Sequence, residues 1–205
     1  MESETGPQDS IQKGEKMTTD LQTRWHVSIH ESGHLVAGLL LAADPTEKAG
    51  AIIESRAGDG CAPIPKSLDH FDRMIAVAAG LAAAELFWHE LPPPLPTVAA
   101  DVSALPVYPP MPLTEREKAE PPKVADSDAI VLARGCIENC ERHPWRWIQN
   151  YTTFTTQARL LLLDNRTKVL AVAREVFRDG VWTGNRNDLL NFNAPTDSPP
   201  VETHK

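Results

Sequence analysis

Long stretches with apolar residues at helical spacing dominate the chain. The first has an apolar centre between Trp25 and Ala42, and Thr18, Thr19 and Asp20 offer N-caps before it. Apolar residues recur at similar spacing in three further stretches, the last of them long. The pattern predicts four helices, over residues 19–43, 67–91, 126–140 and 145–178.

A small β-sheet is predicted next to the first helix. Residues 49–54 include the β-capable run Ala51-Ile52-Ile53, and the turn Gly58-Asp59-Gly60 leads into a second extended piece that ends at Ile64. The predicted fold class is therefore mainly α (α+β), with a sheet edge beside the first helix.

One domain is predicted over residues 18–192. The polar segment 1–17 and the tail 193–205 lack apolar periodicity and are predicted to be disordered. Ten prolines between Pro92 and Pro122 mark an insert at 92–125. This insert is interpreted as a solvated linker, with a lid or an inhibitory segment over a cleft as the alternative.

The first helix carries the pattern H-E-x-x-H at His30-Glu31-Ser32-Gly33-His34. Helix positions four apart share a face, so His30 and His34 can reach one cation. Glu31 projects about 100° around the helix from His30, where it can hold a water beside that cation. Two histidines and a glutamate within an apolar helix are costly to bury without compensation. The pattern therefore predicts a Zn²⁺ site with Glu31 as general base.

Three segments of the chain resemble the peptidase domain of the FtsH family of zinc metallopeptidases. The segment 29–37 resembles that family's H-E-A-G-H helix, and 75–86 resembles its apolar helix with the sequence G-G-R-A-A-E-E-L. The segment Ser127-Asp128 to Arg134 is similar to the family's N-D-L helix start. The resemblance implies a zincin-like helical peptidase domain, here without the ATPase module. It also implies that an aspartate completes the zinc site.

The third zinc ligand is predicted to be Asp128, which begins a helix as the corresponding aspartate does in the FtsH family. Asp101 is the nearest rival, because its distance from Gly80 is closer to the family's spacing. Asp126 is a further alternative, although both Asp126 and Asp128 have N-capping as the simpler interpretation. Cys61 would give a site with two histidines and a cysteine, which is the least favoured arrangement.

The helix over 67–91 has an alanine- and glycine-rich centre. Its small side chains predict close packing against Gly33 and Gly38 of the first helix. Glu85 lies on this helix and is predicted to orient a ligand histidine from behind, with an exposed surface acid as the alternative.

Composition narrows the possible partners. A formal net charge of −8 and the absence of any basic cluster argue against nucleic acid. The apolar run from Leu35 to Ala43 is too short to cross a membrane, and the polar N-terminus predicts no secretory signal. The three cysteines Cys61, Cys136 and Cys140 indicate a reducing compartment. The prediction is a cytoplasmic protein, and the resemblance adds a possible homo-oligomer.

The function predicted from the motif and the resemblance is ATP-independent hydrolysis of peptide bonds in unfolded or flexible polypeptides. Two alternatives stay open. One is a catalytically silent zinc-binding scaffold with a regulatory, interacting role, and the other is a zinc hydrolase of a small amide. A long groove would favour peptides and a closed pocket would favour small molecules.

Overall fold

A computed structural model describes residues 7–54, 59–90, 128–138 and 146–192. Six α-helices and three β-strands occur in these ranges. In chain order they are α1 Pro7–Leu41, β1 Ala49–Ile53, β2 Gly60–Cys61, α2 His70–Phe87, α3 Asp128–Glu138, α4 Arg146–Asp164, α5 Arg166–Asp179, β3 Val181–Gly184 and α6 Arg186–Asn191. The mainly helical α+β class is confirmed. The proline-rich insert at 92–125 and the tail at 193–205 lie outside the described residues.

Helix α1 is longer than predicted at its N-terminus. It begins at Pro7, so Thr18, Thr19 and Asp20 lie within it and do not cap it. Pro is well suited to the first helical position, and Gln, Glu, Lys and Met are good helix formers that propagate an established helix. At the other end, the Arg186 guanidinium donates to the carbonyls of Leu39 and Ala42. This contact satisfies helix-terminal acceptors that lack an intrahelical partner.

Helices α1 and α2 pack closely, as their small residues predict. A Cβ on Gly33 would lie 2.5 Å from both the Ala79 carbonyl oxygen and the Ala83 Cβ. A Cβ on Gly38 would instead meet Pro65 at 2.7 Å, and no described atom of α2 would lie within 4 Å of it. Helix α2 starts where the sequence indicates, with the Asp69 side chain accepting from the backbone N–H of Asp72.

The sheet has three antiparallel strands in the order β2-β1-β3, of which β3 was not predicted from the sequence. Helix α5 ends at Asp179, and the next residue, Gly180, has a φ of 76°, a left-handed cap that turns the chain into β3. The strand β1 buries Ala51 and Ile53 against the helices. Ile52 projects from the opposite, outer face of the sheet, because side chains alternate along a strand.

The prediction of one helix over 145–178 was wrong, since Asn165 separates α4 from α5. Its backbone N–H is shared between the carbonyls of Leu161 and Leu162, and its side-chain amide also donates to Leu161. Asparagine competes in this way for backbone groups and so favours a break. The break lets α5 pack separately against α1, where Trp25 and Phe177 meet edge to face with ring centroids 5.7 Å apart.

Most buried apolar side chains of the six helices, with Ala51 and Ile53 of β1 and Trp182 of β3, belong to one hydrophobic cluster. This cluster fixes the middle of α1, where the H-E-x-x-H residues lie. In the part of the chain that the structure describes, no helix is long and apolar enough to cross a membrane.

Candidate metal centre

His30, His34 and Asp128 converge at one point, where the middle of α1 meets the first residue of α3. The Asp128 Oδ2 lies 2.7 Å from His30 Nε2 and 3.0 Å from His34 Nε2. The two imidazole nitrogens are 3.1 Å apart. Within the described ranges this is the group of three side chains that could hold a metal ion.

The geometry of these three atoms accommodates a small cation. A triangle with these sides has a circumradius of about 1.7 Å, shorter than a Zn–N or Zn–O bond of about 2.0–2.2 Å. A point just above the triangle is therefore at bonding distance from all three atoms. The donor set also fits, because two neutral imidazoles and one carboxylate leave an open position on a four-coordinate ion.

His34 is held in one orientation by helix α2. It is only 5% exposed, and its Nδ1 donates to the Ala76 carbonyl at 2.9 Å. This hydrogen bond fixes the tautomer with Nε2 directed at Asp128 and free to bind a cation. Gly80, one turn further along α2, provides the space for the ring, because a Cβ there would lie 2.1 Å from His34 Nε2.

The charges at the centre are strongly coupled when no cation is bound. Burial acts to lower the pKa of His34, but the hydrogen bond and charge of Asp128 outweigh it and raise that pKa. Burial likewise acts to raise the pKa of Asp128, and the two histidines hold it well below its usual range. In the absence of metal, the carboxylate and a protonated histidine therefore stabilise each other.

Glu31 is buried beside the three candidate ligands. It is 7% exposed, and burial raises the pKa of its carboxyl against the lowering effect of His34 and His30. The strand β2 covers it, since a Cβ on Gly60 would lie 3.0 Å from Glu31 Oε1 and 2.8 Å from the side chain of Val27. Within the described residues the structure shows no hydrogen bond to the Glu31 carboxylate. The pKa of this buried carboxyl is therefore displaced from its ordinary value towards neutrality.

Gly60 lies on β2, which is an edge strand of the sheet among the described residues. The Glu54 N–H donates to the Asp59 carbonyl at 2.8 Å, and the register pairs Ile52 with Cys61. Hydrogen-bonded and non-hydrogen-bonded pairs alternate in an antiparallel ladder. The N–H and C=O of Gly60 therefore point away from β1, on the strand that covers Glu31.

The other residues predicted for the site lie elsewhere. Glu85 is exposed and forms an ion pair with Arg159 at 2.8 Å, so the prediction that it orients a ligand histidine was wrong. Glu85 lies nine positions after Ala76, which places it about 180° around α2 from that residue. Cys61 follows Gly60 on β2, and its thiol is close enough to feel the charges of Glu31 and Asp128, but it does not belong to the group that could hold the metal ion. Asp101 and Asp126 lie outside the described residues.

Sequence reasoning missed Ala76, Gly80 and Gly60 as parts of the centre. The first acts through its carbonyl, and the two glycines act through their lack of a side chain. The alanine- and glycine-rich centre of α2 indicates that another group approaches Gly80 closely. From the sequence alone, this approach is interpreted only as the packing of another helix. Nothing in the sequence marks a particular backbone carbonyl as a hydrogen-bond acceptor for a distant histidine.

Comparisons with known proteins add no identification. No protein-family model matches the chain, and no curated protein matches it. The resemblance to FtsH peptidases therefore stays a prediction.

Proposed function

We propose that this protein is a zinc-dependent peptidase that cleaves unfolded or flexible polypeptide segments. The convergence of His30, His34 and Asp128 beside the buried Glu31 is the observation that carries the proposal. Zinc is favoured over Mg²⁺ or Ca²⁺, because those ions prefer ligand sets made only of oxygen atoms.

His30, His34 and Asp128 would hold the metal. A bound zinc ion would act as a Lewis acid that polarises the carbonyl of the scissile amide and lowers the pKa of the attacking water. Glu31 accepts the proton of that water and then transfers it to the leaving amine. Burial supports this role, because it raises the pKa of the Glu31 carboxyl and so makes it a stronger base.

The outer edge of β2, with which no other described strand pairs, supports an extended peptide as the substrate. The outward N–H and C=O of Gly60 can pair with a peptide backbone, which would then lie as a further strand next to Glu31. A segment without secondary structure of its own has its backbone N–H and C=O groups available for such pairing. The proposal therefore concerns unfolded or flexible segments.

The test combines metal analysis with proteolysis of a casein-type substrate by the purified full chain. Wild type should contain one zinc per chain and cleave. Glu31→Gln should retain zinc and lose at least about 100-fold of the activity, whereas His34→Ala should lose the metal. Glu85→Gln is the matched control and should behave as wild type, because Glu85 is exposed and paired with Arg159.

Two outcomes would contradict the proposal. Wild type without stoichiometric metal after reconstitution would remove its basis. Zinc binding without cleavage of any unfolded polypeptide would refute the proposed peptidase activity. It would favour a zinc-binding scaffold, or a hydrolase of small amides if a small amide is cleaved.

A further inference from the structure

A cavity of about 430 Å³ lies on the outer face of the sheet. Gly50 and Ile52 of β1 and Thr183 of β3 form its floor, and the segment Pro63–Pro65 forms a wall. Gly50 leaves space over the strand because it has no side chain, and the Thr183 methyl fills part of that space. Its volume falls in the range of about 300–1,000 Å³ that is typical of small-molecule sites.

This cavity is separate from the candidate metal centre. Ile52 pairs with Cys61 on the outer face, whereas Gly60 lies over Glu31 on the inner face. The sheet therefore stands between the cavity and the three candidate ligands. Binding in the cavity requires neither a metal ion nor the proposed peptidase activity.

The cavity rim carries two positive charges and one negative charge, whereas the net charge of the chain is −8. Lys48 and Lys66 both line the cavity and are exposed. Among the described residues, neither ammonium group has a hydrogen-bond or ion-pair partner. The negative charge belongs to Glu47, whose carboxylate accepts from the backbone N–H groups of Lys66 at 2.6 Å and Ser67 at 3.1 Å, so the rim has one net positive charge.

The lining between the two lysines is almost entirely apolar. A bound peptide would bring backbone N–H and C=O groups into this lining, and each unpaired group would be costly to bury. A ligand with an apolar chain and a single terminal anion avoids that cost. The apolar chain of such a ligand would lie on the cavity floor over Ile52. Its carboxylate would stay at the rim, near the ammonium groups of Lys48 and Lys66.

We propose that the outer-face cavity binds a medium-chain fatty acid, with the apolar chain over Gly50 and Ile52 and the carboxylate between Lys48 and Lys66. Charge complementarity selects an anion, and the scarcity of polar groups in the lining selects a hydrocarbon chain over a peptide.

Isothermal titration of the full-length protein with decanoate, below its micelle concentration, tests this proposal. Decanoate should bind, and decanol should bind about tenfold more weakly because it lacks the charge. Lys48→Gln and Lys66→Gln should each weaken decanoate binding about threefold to fivefold, the range for an exposed ion pair. Arg174→Gln, which removes an exposed charge on α5, is the matched control and should bind as wild type does.

Thr183→Trp provides a second, steric test. Thr183 is exposed on a strand, where an aromatic residue is well tolerated, so the variant should fold with an unchanged circular dichroism spectrum. Its indole should fill the cavity and abolish decanoate binding. Equal affinity for decanoate and decanol, unchanged affinity in both lysine variants, or no binding to wild type would overturn the proposal. Tighter binding of an apolar peptide than of decanoate would overturn the choice of ligand.

Discussion

Replacement of Gly80 by Ala should disrupt the metal centre without removing any of its proposed ligands. The added Cβ would lie 2.1 Å from His34 Nε2, 2.4 Å from Cε1 and 2.6 Å from Cδ2. The ring is held by the Ala76 carbonyl and Asp128, so it cannot swing aside freely. Restoring ordinary contact, which begins at 3.4 Å, requires a displacement of about 1.3 Å. Zinc sites tolerate only about ±0.2 Å in ligand distance.

We therefore expect Gly80→Ala to weaken zinc binding at least about 100-fold, or about 2.7 kcal/mol. Competition with a fluorescent zinc chelator measures this loss directly. Overpacking should destabilise the metal-free protein by about 1–3 kcal/mol, partly offset by about 1 kcal/mol from the higher helix propensity of Ala.

Gly38→Ala is the matched control for Gly80→Ala. It adds the same methyl group to a helix, but its close contact is with Pro65 and not with a proposed ligand. It should change stability while zinc affinity stays within about twofold of wild type. Wild-type zinc affinity in Gly80→Ala would refute the reasoning, because the site would then not depend on the position of the His34 ring.

Three further predictions concern stability and reactivity. Burial raises the pKa of Glu31, so the folded chain keeps a proton that the unfolded chain releases near pH 4.5, and metal-free stability falls as the pH rises above that value. Glu31→Gln should therefore raise the melting temperature of the metal-free protein by a few degrees at pH 7 and leave it unchanged at pH 4. The control Glu85→Gln should leave it unchanged at both pH values. A melting temperature of Glu31→Gln equal to that of wild type at pH 7 would contradict the burial of a charged Glu31. Burial and nearby carboxylates raise the pKa of the Cys61 thiol to about 11. Since the thiolate is the nucleophile, iodoacetamide should label Cys61 at pH 8 roughly 100-fold more slowly than a free cysteine, and the labelling rate should rise up to pH 11. Peptide mapping by mass spectrometry measures this rate. Labelling of Cys61 as fast as that of a cysteine in a model peptide would contradict the raised pKa. Gly33→Ala should lower the free energy of unfolding, measured by urea titration, by about 1–3 kcal/mol, because its methyl group would meet the backbone of Ala79. An unchanged free energy of unfolding would show that α1 and α2 can move apart at little cost.

Local patterns in the sequence were enough for the parts of the site that belong to one helix. The four-residue spacing of His30 and His34 fixes their common face as soon as the segment is helical, and the ring centroids lie 4.7 Å apart in the structure. Apolar spacing likewise identified α1, α2 and β1, and Asp69 marked the start of α2. These features depend on contacts between residues close in sequence.

Other features could be decided only by the tertiary structure. Asp128 was one of several acidic candidates in the sequence, and the packing of α3 brought its carboxylate to His30 across 98 positions. The pairing of β3 with β1 joins residues that are distant in the chain. The four residues Val181–Gly184 have no periodic pattern that predicts this pairing.

Glu85 was misplaced because spacing on α2 alone does not show which face of that helix meets α1. Gly33 and Ala79 settle that face by close contact, and Glu85 is left exposed beside Arg159. The sequence by itself therefore determined the helices and the pair of histidines, because regular spacing encodes a local geometry. The partners of that pair, Asp128, Ala76 and Gly80, were decided by the packing of α1 against α2 and α3, since only packing places atoms from distant segments within bonding distance.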